Sequence, residues 1–150
     1  MGTGYGLLEP GPAGVTVVTS GVITTSRDLP LETRVARIYD GVLRLVEEHA
    51  PSVLALEDLY TEYSFPRTAI LMAHARGVIC LAAVQRGVPV VALAPAAVKR
   101  AVAAHGTASK EQVQRAMQHL LGLATLPSPS HVADALAIAW TALSRSGKPA

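Results

Sequence analysis

The sequence predicts a single α/β domain with a mixed sheet, on three observations. The period of the apolar residues changes repeatedly, from β-rich runs over 5–24 to a helical stripe, then to short β runs at 53–57 and 88–93 around a second helix, and finally to helix throughout the last third. Strand, helix and strand follow one another between Val53 and Leu93, an order that implies a right-handed crossover and a parallel pair. With 150 residues, half of them hydrophobic, the chain is long enough for one domain with a well-covered core and too short for two ordinary domains.

Tyr5 to Glu9 and Val15 to Thr24 are rich in β-branched residues and are separated by Pro10-Gly11-Pro12-Ala13-Gly14, so they read as an antiparallel hairpin. Leu31, Val35, Ile38, Val42, Leu45 and Val46 then recur at helical spacing, which predicts a helix from Leu31 to Glu48 ended by Pro51. Val53 to Glu57 is a continuous apolar run, the pattern of a strand buried on both faces. A second helix is expected over Phe65 to Arg86, stopped by Gly87, followed by a strand over Val88 to Leu93.

Pro95 suits the first turn of a short helix ending at Ala103, because its missing N–H has no partner there in any case. Ser109 and Gln112 form a capping-box pattern opening a helix from Lys110 to Leu121. Pro127-Ser128-Pro129 ends that region, and Ser130 is the expected N-cap of a last helix, His131 to Ser144. Its centre, Ala135 to Trp140, is apolar nearly all round and is expected to be largely buried. The tail 146–150 is expected to fray.

The net charge of +2 confines any nucleic-acid contact to a local patch. The lone Cys80 lies in an apolar run and has no partner for an intrachain disulfide, which reads as a packed thiol in a reducing compartment. No basic segment followed by an apolar run opens the chain, and Arg86 and Pro89 interrupt the longest apolar stretch. Neither a signal peptide nor a membrane span is predicted, and the expected location is cytoplasmic.

A census of acids isolates two. Asp28, Glu32, Asp40, Glu47, Glu48 and Glu111 fall near helix starts or on solvent faces, Glu9 and Glu62 in turn and loop surroundings, and Asp58 on the face of its strand opposite Glu57. Glu57 closes an apolar strand, where a carboxylate is costly without a partner. Asp134 opens the last helix with His131 three residues before it, so their side chains share a face with Cβ atoms about 5–6 Å apart. Read singly, Asp134 serves the helix dipole and His131 a cap. Read together with Glu57, they are candidate metal ligands, and magnesium or manganese suits such an oxygen-rich set.

At these residues the chain resembles the RuvC family of Holliday junction resolvases, over nearly its whole length. The matching segments are Thr3-Gly4-Tyr5-Gly6, Ala55-Leu56-Glu57, Ala75-Arg76-Gly77, Val98-Lys99-Arg100-Ala101-Val102, Lys110-Glu111-Gln112-Val113 and Ala133-Asp134-Ala135-Leu136-Ala137. The resemblance implies an RNase H-like fold, a mixed sheet with helices on both faces. It also implies an endonuclease that resolves four-way junctions in recombination and repair through two Mg2+ or Mn2+ ions per subunit.

Glu57, His131 and Asp134 match three of the family's metal-ligand positions, His131 standing where the common pattern has aspartate. Lys110 matches the family lysine near the scissile phosphate, where a cation stabilises developing charge. Lys99 matches a basic position on the DNA face, with Arg100 and His105 beside it as expected phosphate contacts. Tyr60 matches an aromatic suited to stacking on an unpaired base. The implied partners are four-way junction DNA, a second copy of the chain and a branch-migration helicase complex. The helix Phe65 to Arg86, with Ile70, Leu71, Ala75 and Val78, could form the dimer face or simply pack in the core.

The resemblance also implies a central strand ending in Asp-Pro-Gly before Thr3, between the hairpin and the Glu57 strand, where the chain has only Met1-Gly2. Without it, two strand edges and part of the core stand open, and a poorly stable chain is expected. Two functional readings follow: a junction-cutting nuclease completed by that strand, or an inert junction-binding module. A related nuclease acting on other nucleic acids is a third.

Overall fold

A computed structural model describes residues 2–59 and 65–146. Four strands and five helices follow in the expected order among these residues: β1 (Gly2–Gly11), β2 (Gly14–Thr24), α1 (Leu31–His49), β3 (Leu54–Glu57), α2 (Pro66–Gln85), β4 (Val90–Leu93), α3 (Pro95–Ala103), α4 (Lys110–Leu121) and α5 (Ser130–Arg145). β1 and β2 form an antiparallel hairpin, and β3 pairs with β4 in parallel, Leu54 opposite Val90 and Glu57 opposite Leu93. Among the described residues the two ladders are separate two-stranded sheets, flanked by helices.

The hairpin turn is tighter than its composition suggested. Pro10 and Gly11 belong to β1, opposite Val15 and Gly14, and only Pro12 and Ala13 lie outside the ladder. Proline is tolerated there because that side of β1 carries no ladder partner. α1 ends as its sequence allows, with Ala50 in the left-handed region at φ 45° and its N–H on the Val46 carbonyl. Gly87, with φ 69°, follows α2 in the same left-handed conformation. The capping box of α4 is complete: Gln112 N–H donates to Ser109 Oγ at 3.1 Å and Ser109 N–H to Gln112 Oε1 at 2.8 Å.

At α5 the cap differs from expectation. Ser130 is already helical and Pro129 occupies the N-cap, its carbonyl accepting from Val132 N–H at 2.9 Å. Proline's fixed φ, here −65°, lets it enter the helix directly and removes the need for a hydroxyl cap.

Two cores lie on either side of the β3–β4 ladder. One gathers Leu93, Val98, Val113, Met117, Val132 and Leu136 from β4, α3, α4 and α5, with Ala55 packed against it. The other joins Ile38, Val42 and Val46 of α1 to Ala75, Ala82 and Ala83 of α2, with Leu54 and Val90 against it. The alternation of a strand explains the split: Ala55 faces one core and Leu54 the other.

Between β1 and β3 lies a cleft of about 650 Å³. It corrects two burial expectations. All four β3 residues are only half-buried, and so are Ala135, Ile138 and Ala139 of α5, because their side chains line this cleft and not a continuous core. The edges of β1 and β3 that face it carry no ladder partner among the described residues, as expected if a central strand belongs between them.

α2 has the length and hydropathy of a membrane span by composition. Arg86 and Pro89, on which the contrary expectation rested, lie beyond its end and leave only Arg67 and Arg76 charged within it. One side of α2 is core; the other exposes Ile70 and Val84, 58% and 67% accessible, with Leu81 between them.

Candidate active site at the end of β3

The ladder delivers Glu57 to the last paired position of β3, on the face shared with Ala55 and therefore toward α5. α5 is brought close by glycine. A side chain at Gly4 would overlap the backbone carbonyl of His131 and come within 2.9 Å of its Cβ, and one at Gly6 would meet Leu136 Cδ2 at 2.6 Å. The segment Thr3-Gly4-Tyr5-Gly6 thus seats the first turns of α5 directly on β1, and His131 and Asp134 ride on those turns.

Glu57 and Asp134 come within electrostatic reach of one another. Burial raises the Glu57 carboxyl above its ordinary pKa, and the Asp134 charge raises it further, while Lys99 opposes both. Burial likewise raises Asp134, against Lys110, His131 and Lys99. Two half-buried acids that line the cleft, from β3 and α5, thus lie within the electrostatic influence of lysines from α3 and α4. Glu57 and Asp134 stand about half the chain apart in sequence, and the packing of α5 against β3 brings them together.

Glu57 and Asp134 suit a divalent cation, because burial and mutual repulsion disfavour both charges until an opposite charge is supplied. His131 is exposed, with its ring beside Gly2 at the cleft wall and its charge acting on Asp134. Among the described residues no three His, Cys, Asp or Glu side chains approach closely enough to hold an ion together. The carboxylate pair is thus the kernel of the site, with His131 at its margin.

The other expected DNA contacts divide. Lys99 and Lys110 reach the acids. Arg100 is exposed and turns its guanidinium toward Gly106, and His105 is exposed with Nδ1 3.4 Å from Thr107 Oγ1; neither perturbs Glu57 or Asp134. Tyr60 lies outside the described residues. Asp58 points away from Glu57, as strand alternation requires, toward Arg76 Nη2 at 3.8 Å. Arg76 was visible in the sequence only as part of a matching segment, since no spacing rule links a helix arginine to Asp58, 18 positions earlier and just past the strand.

The fold and this pair of acids beside two lysines define an RNase H-like nuclease. The family model "Crossover junction endodeoxyribonuclease RuvC" matches residues 1–142. A RuvC of Rhodopirellula baltica is 43% identical over 136 residues, 91% of this chain and 76% of the relative, and one of Thermosipho melanesiensis is 41% identical over 137 residues, 91% and 87%. Two Thermus thermophilus RuvC structures superpose with TM-scores of 0.84 and 0.86, at 37% and 38% identity, each over 98% of this chain and 92% of the other. The second is in complex with Holliday junction substrate. The chain belongs to the RuvC family of crossover junction endodeoxyribonucleases.

Proposed function

We propose that this chain resolves four-way DNA junctions by metal-dependent phosphodiester hydrolysis, as a homodimer, with two Mg2+ or Mn2+ ions per subunit. The observation that carries the reading is the pairing of Glu57 with Asp134 in the β1–β3 cleft, under the electrostatic influence of Lys99 and Lys110. A divalent cation bound there would supply a polarised water and charge for the departing oxygen. Glu57 and Asp134 would hold such a cation, from two different elements. Lys110, at the first position of α4, offers its ammonium to the charge that develops on the phosphate, and Lys99 holds an adjacent phosphate in place. Arg100, His105 and Tyr60 belong to the wider DNA face in this reading.

The β1–β3 cleft accommodates the central acid-bearing strand that the resemblance implies. An extended segment there would pair with the open edges of both ladders and add a carboxylate to the ligand set. The residues 1–150 then act as one nuclease domain completed by that strand. The exposed stripe of α2, Ile70, Ala73, Gly77, Leu81 and Val84, supports pairing with a second copy: its members recur at three- and four-residue spacing, and a Cβ on Gly77 would meet nothing within 4 Å. Delivery of the junction by a branch-migration helicase complex and a cytoplasmic location complete the reading.

The test is substrate choice. The 150-residue chain and the same chain extended by an apolar strand ending in Asp-Pro-Gly are compared on four-way junctions, linear duplex and RNA–DNA hybrid in Mn2+. Selective junction cleavage by the extended chain is expected. Junction binding without cleavage by both would establish an inert binding module, and equal cleavage of linear or hybrid substrates would place the chain among other RNase H-like nucleases.

A further inference from the structure

Ala75-Arg76-Gly77 is the one matching segment that the site does not use. Arg76 lies on α2, lines the cleft, and reaches the residue directly after Glu57. Asp58 also carries the β3–β4 ladder one step further, its N–H donating to the Leu93 carbonyl at 2.8 Å. The Arg76–Asp58 pair is loose: Nη2 stands 3.8 Å from Oδ1, while Nε is buried without a hydrogen-bond partner among the described residues.

Nε and Nη2 lie on the same edge of a guanidinium, and that edge grips a carboxylate side-on with two parallel donors. The chain closes this edge on a carboxylate elsewhere, in a forked variant: Arg86 Nε donates to Glu47 Oε1 at 2.9 Å and Nη2 donates to the same oxygen. At Arg76, Nη2 of that edge faces Asp58 while Nε has no hydrogen-bond partner among the described residues, and an unsatisfied buried donor favours any shift that supplies one.

We infer that Arg76 is a positioning residue for the nuclease reaction: it closes its Nε–Nη2 edge onto Asp58 and so pins the end of β3, which carries Glu57, to α2. The inference rests on the nuclease reading above. It makes the helix whose outer stripe faces a second copy the brace of the catalytic strand. The requirement is for a planar two-donor edge, so lysine does not substitute for it.

The test combines a double-mutant cycle with amide exchange on the extended chain. Arg76→Ala, Arg76→Lys and Asp58→Ala should each slow single-turnover junction cleavage about tenfold, with junction Kd within about twofold and the thermal midpoint nearly unmoved. The Asp58 amide should exchange about tenfold faster in each, while the Val42 amide in α1 is unchanged. Combining Arg76→Ala with Asp58→Ala should add nothing to either single change, and the reversed pair, Arg76→Asp with Asp58→Arg, should recover most of the loss. Additive losses, an unchanged Asp58 amide, full activity of Arg76→Lys, or a reversed pair no better than the single variants would each overturn the inference. If the parent cleaves no substrate, the nuclease reading fails by itself; the exchange cycle still decides whether Arg76 holds the strand end.

Discussion

Gly4 lies directly under the backbone of His131, with no room for a Cβ between strand β1 and the first turn of α5. Because the obstructing atoms are backbone, the helix must move if the space is filled. The hairpin therefore sets the height of the turn that carries His131 and Asp134.

Gly4→Ala should lower stability by about 1–3 kcal/mol, the range for an overpacked site, and reduce cleavage by displacing Asp134 from Glu57. Gly77→Ala, where the added methyl meets nothing within 4 Å, is the matched control in the isolated chain. Thermal unfolding compares the two variants, and a cleavage assay of the extended chain checks Gly4→Ala. Equal midpoints for Gly4→Ala and the parent would show that β1 does not set the helix position.

The acid pair predicts an unusual pH dependence. A carboxyl raised in the folded chain binds its proton more tightly there than when unfolded, so its stabilising contribution is present at low pH and lost as pH rises from the ordinary carboxylate range through the raised value. In the metal-free chain Glu57→Gln should remove part of that loss, raising the melting temperature at neutral pH but not near pH ~4. Added Mn2+ should stabilise the parent most at neutral pH and the Gln variant much less. Superimposable pH profiles for the two chains would dismiss the pairing.

Cleavage is more sensitive than folding to the same change. Glu57→Gln in the extended chain should lose more than about 100-fold in Mn2+-dependent rate while junction affinity is largely kept, since even outer contacts of a metal site cost 10–100-fold. Rate measurements at saturating junction decide it, and an undiminished rate would exclude Glu57 as a ligand.

The two lysines should separate kinetically. Lys99→Ala should weaken junction binding and lower its salt slope by about 1, as loss of one phosphate contact does. Lys110→Ala should leave the slope nearer the parent value and lower the rate about 100-fold, the cost of removing a donor to developing charge. Identical salt slopes for Lys99→Ala and the parent would remove Lys99 from the DNA face.

The exposed stripe of α2 predicts assembly. Leu81→Glu and Ile70→Glu place charges on residues already 48% and 58% accessible, so folding should change by less than about 0.5 kcal/mol while a dimer dissociates. Sedimentation equilibrium reads the outcome, and a parent chain that is monomeric at micromolar concentration even when extended would refute this interface.

Much of the architecture was legible because it depends on local rules. Pro95 opening α3, the Ser109–Gln112 box opening α4 and the parallel pairing of β3 with β4 follow from residue type, spacing and chain order alone. Glu57 and Asp134 were legible for a related reason: an acid stands out on an apolar strand, and another at the start of an apolar helix. The turn at Pro10 and the cap at Ser130 were misplaced by residues whose conformation depends on what lies beside them, an open ladder edge in one case and the directing φ of Pro129 in the other.

By itself, then, the sequence determined the order of the elements, their periods and the two acids that stand out from apolar surroundings, because these are encoded within a few residues of one another. Only the tertiary structure decided that Lys99 and Lys110 join the acids while Arg100 and His105 do not, that His131 sits at the margin, and that Arg76 faces Asp58. Those relations are set by how α3, α4 and α5 pack across one face of a strand pair and α2 across the other, and close packing of distant segments leaves no periodic trace in the chain.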